Sequence, residues 1–225
     1  MISAALKNNA GIVPLTRETL QDQVFRRVTE LILDGSIVPG QMVTVQSLAD
    51  AFGVSPMPVR EALRRLSAAN ALTVVSGRSI GIPPLSRARL SDLRNVRFEV
   101  EAIAGGWAAE RCTDELRAGL RKLLDALDGA NAAGDVKAYL RANYAFHFTI
   151  YRASESENLL RIIENLWLQI SPYFNMLHDS GNYSTSNRHH REMFTAISDG
   201  DVASVQQAIR ADIDGAYHVL MGVLD

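Results

Sequence analysis

The chain has 225 residues, 47% hydrophobic and 21% charged, with a formal net charge of −2 and one cysteine, Cys112. That composition excludes extensive disorder, and a single cysteine excludes both an internal disulfide and a Cys-rich zinc module. No apolar run is long enough to cross a bilayer, and the opening "MISAALKNNAGIVPL" lacks a basic-then-apolar leader, so a cytoplasmic protein without a membrane partner is expected.

Charge is unevenly placed. Up to Ser86 there are eight basic and six acidic residues, and beyond it 15 basic and 19 acidic. A mildly basic front therefore precedes an acidic rear.

After a loose tail over residues 1–15, Leu20, Val24, Val28, Leu31 and Ile32 recur with a helical period, which predicts a helix from Thr19 to Leu33 stopped by Gly35. "VPGQMV" reads as a turn on Pro39 and Gly40. A short helix from about Gln46 to Phe52 follows, ended by Gly53. Ser55 suits an N-cap, so Pro56 falls at N1 and Pro58 at N3, where neither removes an intrahelical hydrogen bond. The two prolines fix where the next helix starts. On it Val59, Ala62, Leu63 and Leu66 form an apolar stripe, Arg60 and Arg64 are i,i+4 neighbours on another face, and Arg65 lies beside them. "LTVVSGRSIGIP" reads as two short strands around a polar tip.

Pro83-Pro84 marks a boundary between a front domain, 16–83, and a helical rear domain, 84–225. Ser86 caps a helix to about Arg111, Thr113 one to about Asn131, and Asp135 begins one ending near Ala153. A helix from Asn158 to about Leu177 is interrupted near Pro172, and "HDSGNYSTS" (His178 to Ser186) reads as a loop. Gly200 and Asp201 separate two last helices. Cys112 reads as a small hydrophobe at a helix end, and Trp107, Trp167, Tyr144, Phe148 and Tyr173 as mostly core. The fold class is mainly α: a winged helix-turn-helix followed by a bundle of about six helices.

A short helix, a glycine turn and a rigidly started helix with a basic face form a layout in which the second helix enters a DNA major groove. "LADAFGVSPMPVREALRRL", with "LILDGSIVPG" before it, resembles the winged helix-turn-helix of the GntR family of bacterial transcription regulators over roughly Leu15 to Ser86. The helical rear resembles the FCD-type effector domain of the FadR-like subgroup. The resemblance implies DNA contacts from Gln46, Ser55, Met57, Arg60, Arg64 and the wing residues Ser76, Gly77 and Arg78. Pro56, Met57, Gln46 and Ser79 depart from the residues common in the family, so the operator sequence does not transfer. Met57 either contacts a thymine methyl or packs at the turn.

In the rear, Asn143 and His147 lie at i,i+4 on one helix, while His190 and Asp212 belong to the last two helices. Imidazoles with a carboxylate suit a divalent ion such as zinc, nickel or manganese. Metal-binding FCD domains use an Asp and three His. By the resemblance, Asn143 stands at the Asp position, His147 and His190 at two His positions, and Asp212 at the third, so one carboxylate is kept. The alternative is a pocket that holds its effector through these residues without metal. Arg97 matches an arginine of the family's first effector-domain helix and either binds an effector carboxylate or pairs with Glu101 on a solvated face. His189 points away from the cluster.

These readings give a homodimeric repressor that binds a palindromic operator on double-stranded DNA and is released by a small carboxylate. The alternatives are a metal-dependent hydrolase using the His/Asp cluster and a constitutive DNA-binding protein with an inert dimerisation domain. The sequence has no H-E-x-x-H helix, G-x-S-x-G elbow or Gly-rich phosphate loop, and no enzyme is expected.

Overall fold

The computed structural model describes residues 19–76, 79–178 and 180–224, with 75 and 76 as backbone only. The front unit opens with α1 (Leu20–Leu33), capped by Thr19, whose hydroxyl accepts the Asp22 N–H. α2 (Val45–Phe52) begins with a reciprocal capping box between Thr44 and Ser47 and ends at Gly53 in the left-handed region. α3 (Pro56–Ala68) buries Val59, Ala62, Leu63 and Leu66, the stripe expected from the sequence.

The wing differs from the expected pair of strands. A third strand, β1 (Met42–Thr44), pairs antiparallel with β3 (Ser79–Gly81), which also pairs with β2 (Thr73–Ser76), in the order β1-β3-β2. Three residues after a turn carry too little alternation to be read locally as a strand. Their pairing, Met42 opposite Gly81, is set by a segment far along the chain.

The rear unit is all helical: α4 (Arg87–Glu110), α5 (Asp114–Ala133), α6 (Val136–Ala153), α7 (Glu157–Ile170), α8 (Asn182–Asp199) and α9 (Val202–Val223). These are the six α-helices of the rear among the described residues. Ser86, Thr113, Asp135, Ser156 and Asp201 each accept a backbone N–H as side-chain caps. α7 gives way to a 3-10 segment, Ser171–Leu177, where Pro172 has no N–H to continue the α ladder. α8 starts at Asn182, so most of the expected loop is shorter than the sequence suggests. Tertiary contacts override the weak helix formers there: Tyr183 stacks on Tyr139 at 3.8 Å between ring centroids and donates its hydroxyl proton to the Phe174 carbonyl. α9 lies along α4 at close range because Gly105 has no Cβ; one placed there would stand 2.2 Å from the Ile209 side chain.

The two units touch through α1, the linker and the 3-10 segment. Asn175 donates to the Gly35 carbonyl at 3.4 Å, Tyr173 donates to the Pro83 carbonyl, and Lys137 reaches Ser36 at 3.2 Å. Gly35 is left-handed (φ +70) and a Cβ on it would strike Asn175. Arg89 joins the Asn70 and Pro84 carbonyls to the Gln169 side chain, bracing the linker. Trp107 corrects the core expectation: it is 40% exposed on α4, whereas Trp167, Phe148 and Tyr173 are buried. No helix among the described residues is long and apolar enough to cross a membrane.

Candidate functional site

Ser55 occupies the N-cap of α3 with extended backbone and Pro56 sits at N1, yet the Ser55 side chain makes no capping bond. The N3 position is Pro58, which has no N–H to offer, so one usual partner of a capping hydroxyl is missing. The oxygen is left exposed beside Met57, which is 60% exposed and therefore not a packing residue. Arg60 is exposed on the same side of the helix, and Arg64, with a 72% exposed side chain, pairs with Glu61 at 3.0 Å. Arg65 is differently employed. It bonds Asp22 of α1 at 2.9 Å and lies over the Phe25 ring at 3.9 Å. Gln46 is exposed at the start of α2 and donates to Asp50 at 2.7 Å. Of the expected wing contacts, Gly77 and Arg78 lie outside the described residues, and Ser76 is described only as backbone at the end of β2.

Inside the bundle the expected cluster comes together. His147 on α6, His190 on α8 and Asp212 on α9 are all buried, and their candidate ligand atoms lie within 4.8 Å of one another. His147 Nε2 stands 3.1 Å from His190 Nε2 and 3.3 Å from Asp212 Oδ2, and His190 Nε2 stands 3.8 Å from the same oxygen. Asn143, buried one turn before His147, lines the adjoining cavity. Asp212 Oδ1 and His190 Nδ1 are buried without a hydrogen-bond partner. Burial pushes His190 down to a pKa of about 3 against the pull of Asp212, which keeps the imidazole neutral. Two buried imidazoles and a carboxylate converging inside the bundle, with polar atoms left over, form a donor set that fits a divalent ion. His189 is outside it and bonds Glu192 instead.

Arg97 does form the i,i+4 pair with Glu101, but not on a solvated face. The pair is buried, with Arg97 Nε 2.6 Å from Glu101 Oε1. The buried position arises because Arg97 and Glu101 face α6, α7 and the 3-10 segment, where the rings of Trp167 on α7 and Phe174 on the 3-10 segment stand 5.4 and 5.9 Å from the guanidinium. Burial alone would lower the Arg97 pKa, and the Glu101 carboxylate outweighs it, so the guanidinium is held charged. Arg97 lines the same cavity as Asn143, His147 and Asp212, with Tyr139 and Trp167 on the wall. The cavity has about 20 Å³ of free space, enough for about one water molecule. Two residues at this site escape the sequence reading, Glu101 as a buried group and Tyr151. Tyr151 donates to Glu101 Oε2 and lies 3.0 Å from His147 Nδ1. The signal available was its spacing: Tyr151 follows His147 by one helical turn, as Glu101 follows Arg97.

Comparison with known proteins places these two sites in a setting. Residues 20–82 match the family model for bacterial regulatory proteins of the gntR family, and residues 92–215 match the FCD domain. The HTH-type transcriptional regulator McbR of Escherichia coli (strain K12) is 32% identical over 179 residues, 80% of this chain and 81% of that protein. A probable D-xylose utilization operon transcriptional repressor of Paenarthrobacter nicotinovorans is 27% identical over 198 residues, 87% of this chain and 86% of that protein. The solved structure of E. coli McbR/YncC superposes with a TM-score of 0.84 at 26% identity, covering 93% of this chain and 100% of that one. Nothing in these likenesses supports the hydrolase reading.

Proposed function

Because the chain belongs to the GntR family of bacterial regulatory proteins and carries an FCD domain behind its winged unit, it is a ligand-responsive DNA-binding transcription regulator, and we propose that it is a repressor released when a small organic acid enters the bundle. The observation that carries the sensor half is the cavity wall: Arg97, His147 and Asp212, all buried, line one small space, and a second buried histidine, His190, stands 3.1 Å from His147. Burying so many ionisable groups is costly unless they meet charge of the opposite sign, and such concentrations mark functional sites.

In this reading α3 enters the major groove. Arg60 and Arg64 reach base edges or phosphates, Ser55 and Met57 approach at the start of the helix, Gln46 approaches from α2, and Ser76, Gly77 and Arg78 approach from the wing. Two copies set their α3 helices about 34 Å apart, one DNA turn, which matches a palindromic operator. Support for the dimer comes from apolar side chains left uncovered on one side of α4: Val96, Ile103 and Trp107 are 41, 39 and 40% exposed, with Val100 between them. Ile162 on neighbouring α7 is 49% exposed. A stripe of this kind on two adjacent helices suits a second copy of itself.

His147, His190 and Asp212 would hold zinc, nickel or manganese, with the Asn143 amide oxygen on the same wall. The bound ion would supply positive charge and an open position for the acid's carboxylate. Arg97 would be the second anchor, since its two bonds to Glu101 use Nε and Nη2. An acid larger than water must move the lining side chains, and that requirement ties occupancy to conformation. The test is metal analysis of the purified protein, a thermal-shift screen of small carboxylic acids, and titration of each hit against protein bound to a duplex selected from a random pool. The expected result is a metal content near one per chain and an acid that weakens DNA binding. If no acid changes DNA affinity, the sensor reading fails, and metal-free protein that still responds would leave direct hydrogen bonding by the same residues.

A further inference from the structure

We infer that Glu101 and Tyr151 are positioning residues that hold His147 in the tautomer protonated on Nδ1, keeping its Nε2 lone pair turned toward Asp212 and His190. The inference deepens the metal reading and rests on it for its purpose, though not for its geometry. Four side chains form one buried line: Arg97 and Glu101 one turn apart on α4, and Tyr151 and His147 one turn apart on α6. Glu101 and Tyr151 are fully buried, and His147 is nearly so.

The proton count along this line has one solution. Glu101, as the carboxylate partner of Arg97, accepts hydrogen bonds and cannot donate. Arg97 donates to both of its oxygens, Nε to Oε1 at 2.6 Å and Nη2 to Oε2 at 3.3 Å. Burial and the same carboxylate keep the Tyr151 phenol protonated, and its only proton goes to Glu101 Oε2. The phenol oxygen can then meet His147 Nδ1, 3.0 Å away, only as an acceptor. His147 therefore carries a proton on Nδ1. In the neutral ring its Nε2 is then bare, and it is aimed at His190 Nε2, 3.1 Å away, and at Asp212 Oδ2, 3.3 Å away. A bare nitrogen opposite a carboxylate oxygen repels it unless a cation or proton lies between them. The opposite tautomer would place N–H there, donate to Asp212 and close the site to metal.

Two substitutions test the direction of the relay. Tyr151→Phe removes the acceptor for Nδ1–H, so His147 changes to the Nε2–H form that bonds Asp212. Glu101→Gln must keep its oxygen toward Arg97, which turns its NH2 toward Tyr151. The phenol O–H then points at His147 Nδ1 and donates a hydrogen bond to it, so Nδ1 must be the bare acceptor and the ring proton moves to Nε2, the same change. Glu101→Gln also leaves Arg97 buried without its counter-charge and can fail to fold. Tyr151→Phe keeps that pair intact and is the primary variant.

The measurement uses full-length protein freed of metal by chelation, at neutral pH. The 15N shifts of the histidine rings assign the His147 proton, and competition with a coloured chelator gives the zinc affinity. We expect Nδ1–H in the wild type, Nε2–H in Tyr151→Phe, and zinc affinity lower by about 10–100-fold in the variant, the range found when an outer hydrogen-bond partner of a ligating histidine is lost. A simple loss of packing would not move the proton from one nitrogen to the other. Nε2–H in the wild type overturns the relay, as does a variant that binds zinc as tightly as the wild type. Wild-type protein with Nδ1–H that takes up no zinc supports the relay and sinks the metal reading alone.

Discussion

On α3 the Arg60 guanidinium is exposed, while Arg65, on the next part of the same helix, reaches back to Asp22 and covers Phe25. The first is free to meet a duplex, and the second fastens α3 to α1. Arg60→Ala is therefore expected to weaken DNA binding by about 5–150-fold, the 1–3 kcal/mol of one arginine contact to DNA, with an unchanged melting temperature. Arg65→Ala is expected to lower the melting temperature, since the cation–π contact alone is worth about 0.5–1 kcal/mol, with a smaller effect on DNA affinity. Fluorescence anisotropy with a labelled duplex and thermal denaturation separate the two. Equal loss of DNA affinity in both would show that the basic face is wider than proposed. In the sequence the arginines form one group, because Asp22 and Phe25 lie in another helix and nothing local to α3 announces them. The same limit applies to Arg97 and Glu101. Their spacing predicts the pair, but only the packing of α6 and α7 around it puts the pair in the interior.

At the scale of elements, several helix starts were legible because the capping bond is local. Ser86, Thr113, Asp135 and Asp201 each accept a backbone N–H within the first turn of the helix they begin. The capping bonds of Ser156 and Thr44 are as local, yet neither residue is read as a cap from the sequence. Ser55 is the informative exception, because Pro58 removes one donor that it would otherwise satisfy and no capping bond forms. Thr44, by contrast, takes part in a full capping box with Ser47. Thr44→Ala should then cost about 1 kcal/mol of unfolding free energy, and Ser55→Ala only a small fraction of that, measured by urea denaturation at neutral pH. A Ser55→Ala loss as large as that of Thr44→Ala would mean that the hydroxyl caps after all. Elements that depend on distant partners were not legible: β1 is defined by its pairing with β3, and the first turn of α8 by Tyr139 and Phe174. Where propensity and partner disagree, as in "NYSTSN", the partner wins.

At the scale of the molecule, the family motif made both units readable, since a recognition helix and a cluster of ligating side chains are each built from short, recognisable pieces. The contact between the units was not readable, and it suggests how a filled cavity reaches the DNA. The 3-10 segment Ser171–Leu177 lies between them. With three residues per turn, positions i and i+3 share an edge, so Phe174 and Leu177 fall together, and both line the cavity. Tyr173 and Asn175 occupy other edges and bond the Pro83 and Gly35 carbonyls of the linker and the winged unit. A carboxylate that displaces Phe174 must turn this short rod, and turning it pulls on both carbonyls. The double variant Tyr173→Phe, Asn175→Ala removes those two bonds without touching the cavity wall or α3. It is expected to bind the acid found by thermal shift and to bind DNA at close to wild-type strength, while the change in DNA affinity caused by the acid, typically about 5–150-fold in coupled systems, falls toward one. Anisotropy titrations with and without the acid measure this directly. Coupling that survives intact in the double variant would move the route to α4, where Arg89 braces the linker against Asn70 and Gln169.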